Sequence, residues 1–182
     1  MFGFQKIATC VAAAAVAAFS AVPADVADTN SADSEVLIVE LRGSDVGETR
    51  IIDGVPMNCF DAQLVDVETG QVIGVGTDCL DMSTIAGDPN GAFAISNTSI
   101  FHLPQGTLKT KNRTTVTPVV EGSPGLTHLT GDVAVTENIL AATGAYRGMI
   151  GMARLHGGVD MSRMAAENII DFNCVFVITL MR

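Results

Sequence analysis

The chain reads as an all-β protein made of antiparallel strands, and three observations predict it. Segments of strand-like alternation recur along the sequence, separated by breaks rich in glycine, proline and asparagine. Beyond the N-terminal apolar run, no segment sustains a helical apolar period. The last long segment alternates strictly: Ile170, Phe172, Cys174, Phe176, Ile178 and Leu180 share one face, and Asp171, Asn173, Val175, Val177 and Thr179 the other. Such a sheet must bury its apolar face and protect its edges. A closed barrel does both; a two-sheet sandwich is the alternative.

The N-terminus is a separate matter. Lys6 precedes an uncharged, alanine-rich run over residues 7–19, and Val22-Pro23-Ala24 ends it with the small side chains a signal peptidase requires. The run is short for a bilayer span, which takes about 20 residues. Residues 1–24 are therefore read as a secretory signal, residues 25–34 as a flexible polar leader, and residues 35–182 as one barrel domain in a secreted or periplasmic protein. The net charge of −10 argues against nucleic acid and anionic membranes as partners. With no tryptophan and one tyrosine, a base-stacking or sugar-stacking platform is also disfavoured.

In chain order, residues 35–41 form the first strand, broken at Gly43–Gly47, and residues 49–52 a short strand or loop. Gly54-Val55-Pro56 is a turn. Residues 58–67 and 71–80 form a hairpin around Glu68-Thr69-Gly70, with Gly70 placed for the left-handed residue that ends such a loop. That register sets Val67 opposite Gln71, Val65 opposite Ile73, Gln63 opposite Val75, Asp61 opposite Thr77 and Cys59 opposite Cys79. Opposed cysteines on antiparallel strands lie within bridging distance, so a Cys59–Cys79 disulfide is expected, with Cys174 a free core thiol; two separate core thiols are the alternative.

Residues 82–90 read as a loop ending in Asp88-Pro89-Asn90-Gly91, and residues 92–102 as one strand or two around Ser96-Asn97. Leu103-Pro104-Gln105-Gly106 is a tight turn. Residues 107–120 form a long strand with Lys109, Lys111 and Arg113 on one face and Leu108, Thr110, Asn112, Thr114 and Val116 on the other. A break at 121–125 leads to a strand over 128–136. Strands at 138–142 and 149–156 flank a glycine turn, Gly157-Gly158 ends the second, and a short helix through 164–166 precedes the final strand.

The glycine turn, Ala142-Thr143-Gly144-Ala145-Tyr146-Arg147-Gly148 followed by Gly151, resembles the closing region of the allene oxide cyclase and dirigent barrels. The closing strand 170–180 and the segments GVGTDCL (74–80) and FHLPQGTL (101–108) resemble bacterial relatives of that family. The resemblance implies an eight-stranded antiparallel barrel, commonly trimeric, that holds a hydrophobic small molecule and uses no metal or organic cofactor. It implies a secreted cyclase or isomerase that steers ring closure inside the barrel; a non-catalytic barrel that binds or guides an apolar ligand is the alternative, and a solidly packed barrel would be neither. No family catalytic residue aligns onto this chain.

Candidate site residues are the polar groups borne on strands. Asp61 and Asn173 are the expected catalytic pair: Asp61 as a charge for a cationic transition state, Asn173 as a polar anchor among valines. Asp78, Asn97, Asn112, Arg113 and Tyr146 are candidate ligand contacts, with Asp132 a further choice. Each has a plainer reading: solvent exposure for Asp61 and Asp78, a turn for Asn97, a basic stripe for Arg113, packing over the glycine turn for Tyr146. His102, His128 and His156 lack ligand spacing, and no metal site is expected.

Overall fold

The computed structural model describes residues 34–87, 91–120, 123–132 and 137–182. The expected signal, the leader up to residue 33 and most of the 88–91 turn lie outside the described residues. The strands are β1 (Ser34–Val46), β2 (Glu48–Ile52), β3 (Val55–Asp66), β4 (Val72–Gly87), β5 (Phe93–Leu103), β6 (Gly106–Val120), β7 (Ser123–Asp132), β8 (Ile139–Ala142), β9 (Ile150–Asp160) and β10 (Ile169–Met181). A one-turn helix, α1 (Met164–Glu167), precedes β10.

All pairings are antiparallel. The sheet runs β1-β10-β9-β7-β6-β5-β4-β3, and β3 pairs back onto β1 through Val39 opposite Asp66 and Arg42 opposite Gln63. The result is a closed eight-stranded barrel, with β2 added beside β3 and β8 beside β6. The sandwich alternative is thereby excluded.

The strict alternation of β10 sets its faces. Ile170, Phe172, Cys174, Phe176, Ile178 and Leu180 are buried, while Asn173 and Val177 are exposed. Inside, Phe101 meets Phe176 edge-on at 4.9 Å between ring centroids, and Phe60 meets Phe172 at 5.8 Å. Each such side chain contributes about 1.5–3 kcal/mol on burial.

Several strands run further than the sequence predicts. β1 continues through Gly43, whose partner is Phe172. β4 continues to Gly87, with an irregularity between Asp81 and Ala86 where a loop was expected. Gly157 and Gly158 lie within β9 rather than ending it. At Gly157 a β-carbon would come within 2.6 Å of the Cys174 backbone, so glycine here permits close strand approach. The expected Ser96-Asn97 break is mid-strand in β5, and the short helix forms as expected.

The β3–β4 register holds from Asn58 to Leu64, including Asp61 opposite Thr77 and Cys59 opposite Cys79. It then shifts by one, so Val65 faces Val72 rather than Ile73, and the expected Val67–Gln71 pairing is not made. Asp66 organises the turn: its carboxylate accepts from the Thr69 amide and hydroxyl, and its carbonyl accepts from the Gly70 amide. Gly70 has φ of 69°, the left-handed conformation expected of it.

Candidate functional site

At one end the barrel interior is open. A cavity of about 460 Å³ is bounded by inward-facing residues of six strands and by the β9–β10 connection. Its walls are apolar: Leu80, Phe93, Ile95 and Val116 on one side, Leu129, Leu155, Val159 and Phe172 on the other. Met82, Met161 and Met164 stand around its mouth, the last on α1. This volume lies within the range of pockets that take small organic ligands. Toward the other end a second cavity, of about 510 Å³, is lined by Leu37, Val39, Ile73, Leu103 and Tyr146.

Two polar side chains border this cavity from the strands, Asp78 of β4 and Thr114 of β6. Asp78 is opposite Ser99, and alternation carries it inward with Gly76 and Leu80. Its Oδ1 accepts from Asn97 Nδ2 at 2.9 Å and from Ser99 Oγ at 2.8 Å. Asn97 Oδ1 in turn accepts from Thr114 Oγ1 at 3.0 Å. Among the described residues nothing donates to Asp78 Oδ2. Burial raises the Asp78 carboxyl above the ordinary carboxylate range, and the two hydrogen bonds oppose that only in part. With Oδ1 taking two donors, Oδ2 is the oxygen left to carry a proton. The cavity is thus an apolar chamber with one carboxyl group in its wall, its proton affinity raised by burial.

The expected catalytic pair is placed elsewhere. Asp61 lies outside the barrel, because β3 turns Phe60, Ala62 and Leu64 inward. Arg50 of β2 holds it with two hydrogen bonds, 2.9 and 2.8 Å, and Thr77 donates a third at 2.6 Å. The Arg50 guanidinium lowers the Asp61 carboxyl below its ordinary value and is itself raised. Asn173 is exposed on the outer face of β10, beside the partly exposed valines that suggested a lining. The expectation that these two reach the lumen is therefore corrected.

The other candidates divide. Asn97 is in the interior, bound to Asp78. Asn112 is also interior, but below the acid: it donates to Thr110 Oγ1 at 3.3 Å and accepts from Asn138. Arg113 is exposed, as a basic stripe would be, and Lys109 of that stripe is paired with Asp53 at 2.6 Å. Tyr146 is buried in the core after β8, and its hydroxyl is raised by burial. Asp132 is opposite Arg113 in the register. Cys59 and Cys79 are bridged, and Cys174 is a buried free thiol pushed up to about 12.

Three residues were missed. Ser99 and Thr114 share inward faces with Asn97 and Asn112, so alternation alone would have found them. Asn138 carries no such signal. It spans the seam where β7 gives way to β8: its backbone joins Lys111 to Gly151, and its side-chain amide exchanges two hydrogen bonds with Ala153, of 2.9 and 2.8 Å. A side chain there substitutes for a strand.

No family model matches the chain. No curated protein matches it either. Among solved structures, one similar to it is described as a nonspecific heme-binding cyclase that catalyzes (4 + 2) cycloaddition during neoabyssomicin biosynthesis. The two share 16% identity at a TM-score of 0.39, over 82% of this chain and 64% of that one. This chain thus matches less than two thirds of that structure's length. The closed eight-stranded barrel agrees with the fold that the expected resemblance implies, and membership of the allene oxide cyclases is not shown.

Proposed function

We propose that the protein is a cyclase or isomerase for a hydrophobic small molecule bound in the barrel, with Asp78 as the hydrogen-bond donor to it. The observation that carries this reading is the position of Asp78: a buried carboxyl in the cavity wall with one oxygen committed to Asn97 and Ser99 and the other left for the cavity. A neutral acid donates to oxygen that gains negative charge as a reaction proceeds. The substrate class is accordingly an apolar, unsaturated molecule bearing one acceptor oxygen, a carbonyl or an epoxide, rather than a precursor that ionises to a cation. The walls fold the chain into a reactive shape and exclude water. Ring closure then converts π bonds to σ bonds within the substrate, and no net proton, electron or atom passes to the protein.

The disulfide and the absence, among the described residues, of any helix long and apolar enough to cross a membrane are compatible with export. Secretion and a homo-oligomer, a trimer as first choice, belong to the same proposal. The second reading, a barrel that carries an apolar ligand unchanged, is favoured by the methionine-lined mouth, since methionine adapts to ligands of varied shape.

Native mass spectrometry of protein from its host tests the pocket. A bound hydrophobic mass should be present in the wild type and reduced in Leu129→Trp, which narrows the cavity. Equal retention by the narrowed variant would count against a ligand inside the barrel.

A further inference from the structure

The geometry points to a two-histidine metal site on the outer wall of the barrel, between His128 of β7 and His156 of β9. The strands are neighbours, with His128 opposite Gly158 and His156 opposite Thr130, so the two rings are diagonal neighbours on one outward face. Diagonal pairs of long side chains reach each other across a sheet. Glycine opposite His128 also leaves the adjacent surface free of a side chain. The rings stand at 77° with centroids 4.6 Å apart, meeting by their edges rather than stacking. Their Nε2 atoms are 3.3 Å apart, and both side chains are exposed.

That separation is what a chelate requires. Zinc–imidazole bonds of 2.0–2.1 Å at a tetrahedral angle set the two nitrogens about 3.3–3.4 Å apart. A right-angled site would bring them closer. Among the described residues no group of three or more histidine, cysteine or acidic side chains can surround an ion here. The pair therefore supplies two ligands, and water or an external donor completes the shell. Imidazole nitrogen selects borderline first-row divalent ions, zinc or copper, over magnesium and calcium. The ion would tie β7 to β9, whose inner faces supply Leu129, Leu155 and Val159 to the cavity wall.

Isothermal titration of tag-free protein with zinc chloride tests the site. The expected result is saturable uptake of about one ion per chain. His128→Ala and His156→Ala should each weaken it at least ~10-fold, and His102→Ala should leave it unchanged. Zinc should raise the melting temperature of the wild type and not of His156→Ala, a readout that also reports whether the variant is folded. His128→Gln, which keeps bulk, serves if the alanine variant unfolds. No saturable uptake, or equal uptake by the histidine variants, would overturn the site.

Discussion

Asn97 Nδ2 donates to Asp78 Oδ1 at 2.9 Å inside the barrel, and neither residue is open to bulk solvent. The contact fixes which oxygen of the acid serves the structure and which serves the cavity.

Asp78→Asn keeps the shape and the accepting oxygen, so it isolates the ionisation. Burial raises the folded carboxyl above its unfolded value. The stability that this proton affinity confers is present below the unfolded value and is lost as pH rises through the folded one. The variant should therefore be more stable than wild type at neutral pH, with the gap closing in acid. Thermal melts of both proteins from roughly pH 4 to 8 check this. A gap that widens in acid would mean a lowered carboxyl and an anionic Asp78.

Gly144 and Gly148 both have left-handed backbones, with φ of 61° and 80°. They differ in surroundings. A β-carbon on Gly144 would fall 2.1 Å from the Gln105 carbonyl oxygen, whereas on Gly148 it would meet nothing within 4 Å. Gly148→Ala should cost about 1 kcal/mol from backbone strain alone, and Gly144→Ala substantially more. Denaturant titration should rank them so; equal midpoints would remove the steric argument.

The Cys59–Cys79 bridge joins opposed strands 20 residues apart in sequence. The double variant Cys59→Ala, Cys79→Ala should lose ~2–4 kcal/mol, chiefly through the freer unfolded chain. Cys174 is buried with its thiol pushed up to about 12, so it should resist thiol reagents until the protein unfolds. Mass-spectrometric labelling under native and denaturing conditions separates the two states. Rapid native labelling of Cys174 would contradict its burial.

Much of this was legible in residue types, and the failures have physical causes. β10 declared its faces because one row is wholly apolar. β3 did not: Phe60, Ala62 and Leu64 line the core, yet Met57 and Cys59 on the opposite row are buried too. Ile52 of β2 packs against them outside the barrel, so both faces of β3 are apolar and Asp61 has no distinguishing neighbours. Asp78 follows Thr77, the cross-strand partner of Asp61, so the two acids face opposite ways; which face is the inner one was what alternation could not supply. Asn173 misled because Val175 and Val177 imitate a lining while belonging to the outer surface. The histidine pair was invisible, since 28 residues separate its members.

That outer surface bears on assembly. Ile38 is opposite Val177 on the β1–β10 wall, and they are 45% and 40% exposed, with Val36 nearby at 58%. Apolar side chains gathered on one face favour self-association. Light scattering at micromolar concentration should give a multiple of the chain mass, three as first choice, and Ile38→Lys with Val177→Lys should reduce it. A wild-type monomer would refute the oligomer.

The central claim, that Asp78 promotes ring closure in the cavity, has a direct test because cyclisation conserves mass. Purified protein is incubated with the organic extract of its host and followed by liquid chromatography with mass spectrometry. The account predicts one hydrophobic component decaying while another of identical mass and different retention grows. Asp78→Leu, which keeps the bulk and leaves no donor at that position, should slow that conversion by ~100-fold or more while still retaining the ligand. Conversion at the wild-type rate by Asp78→Leu would contradict the role of the acid, and a ligand recovered unchanged from both proteins would make the barrel a carrier.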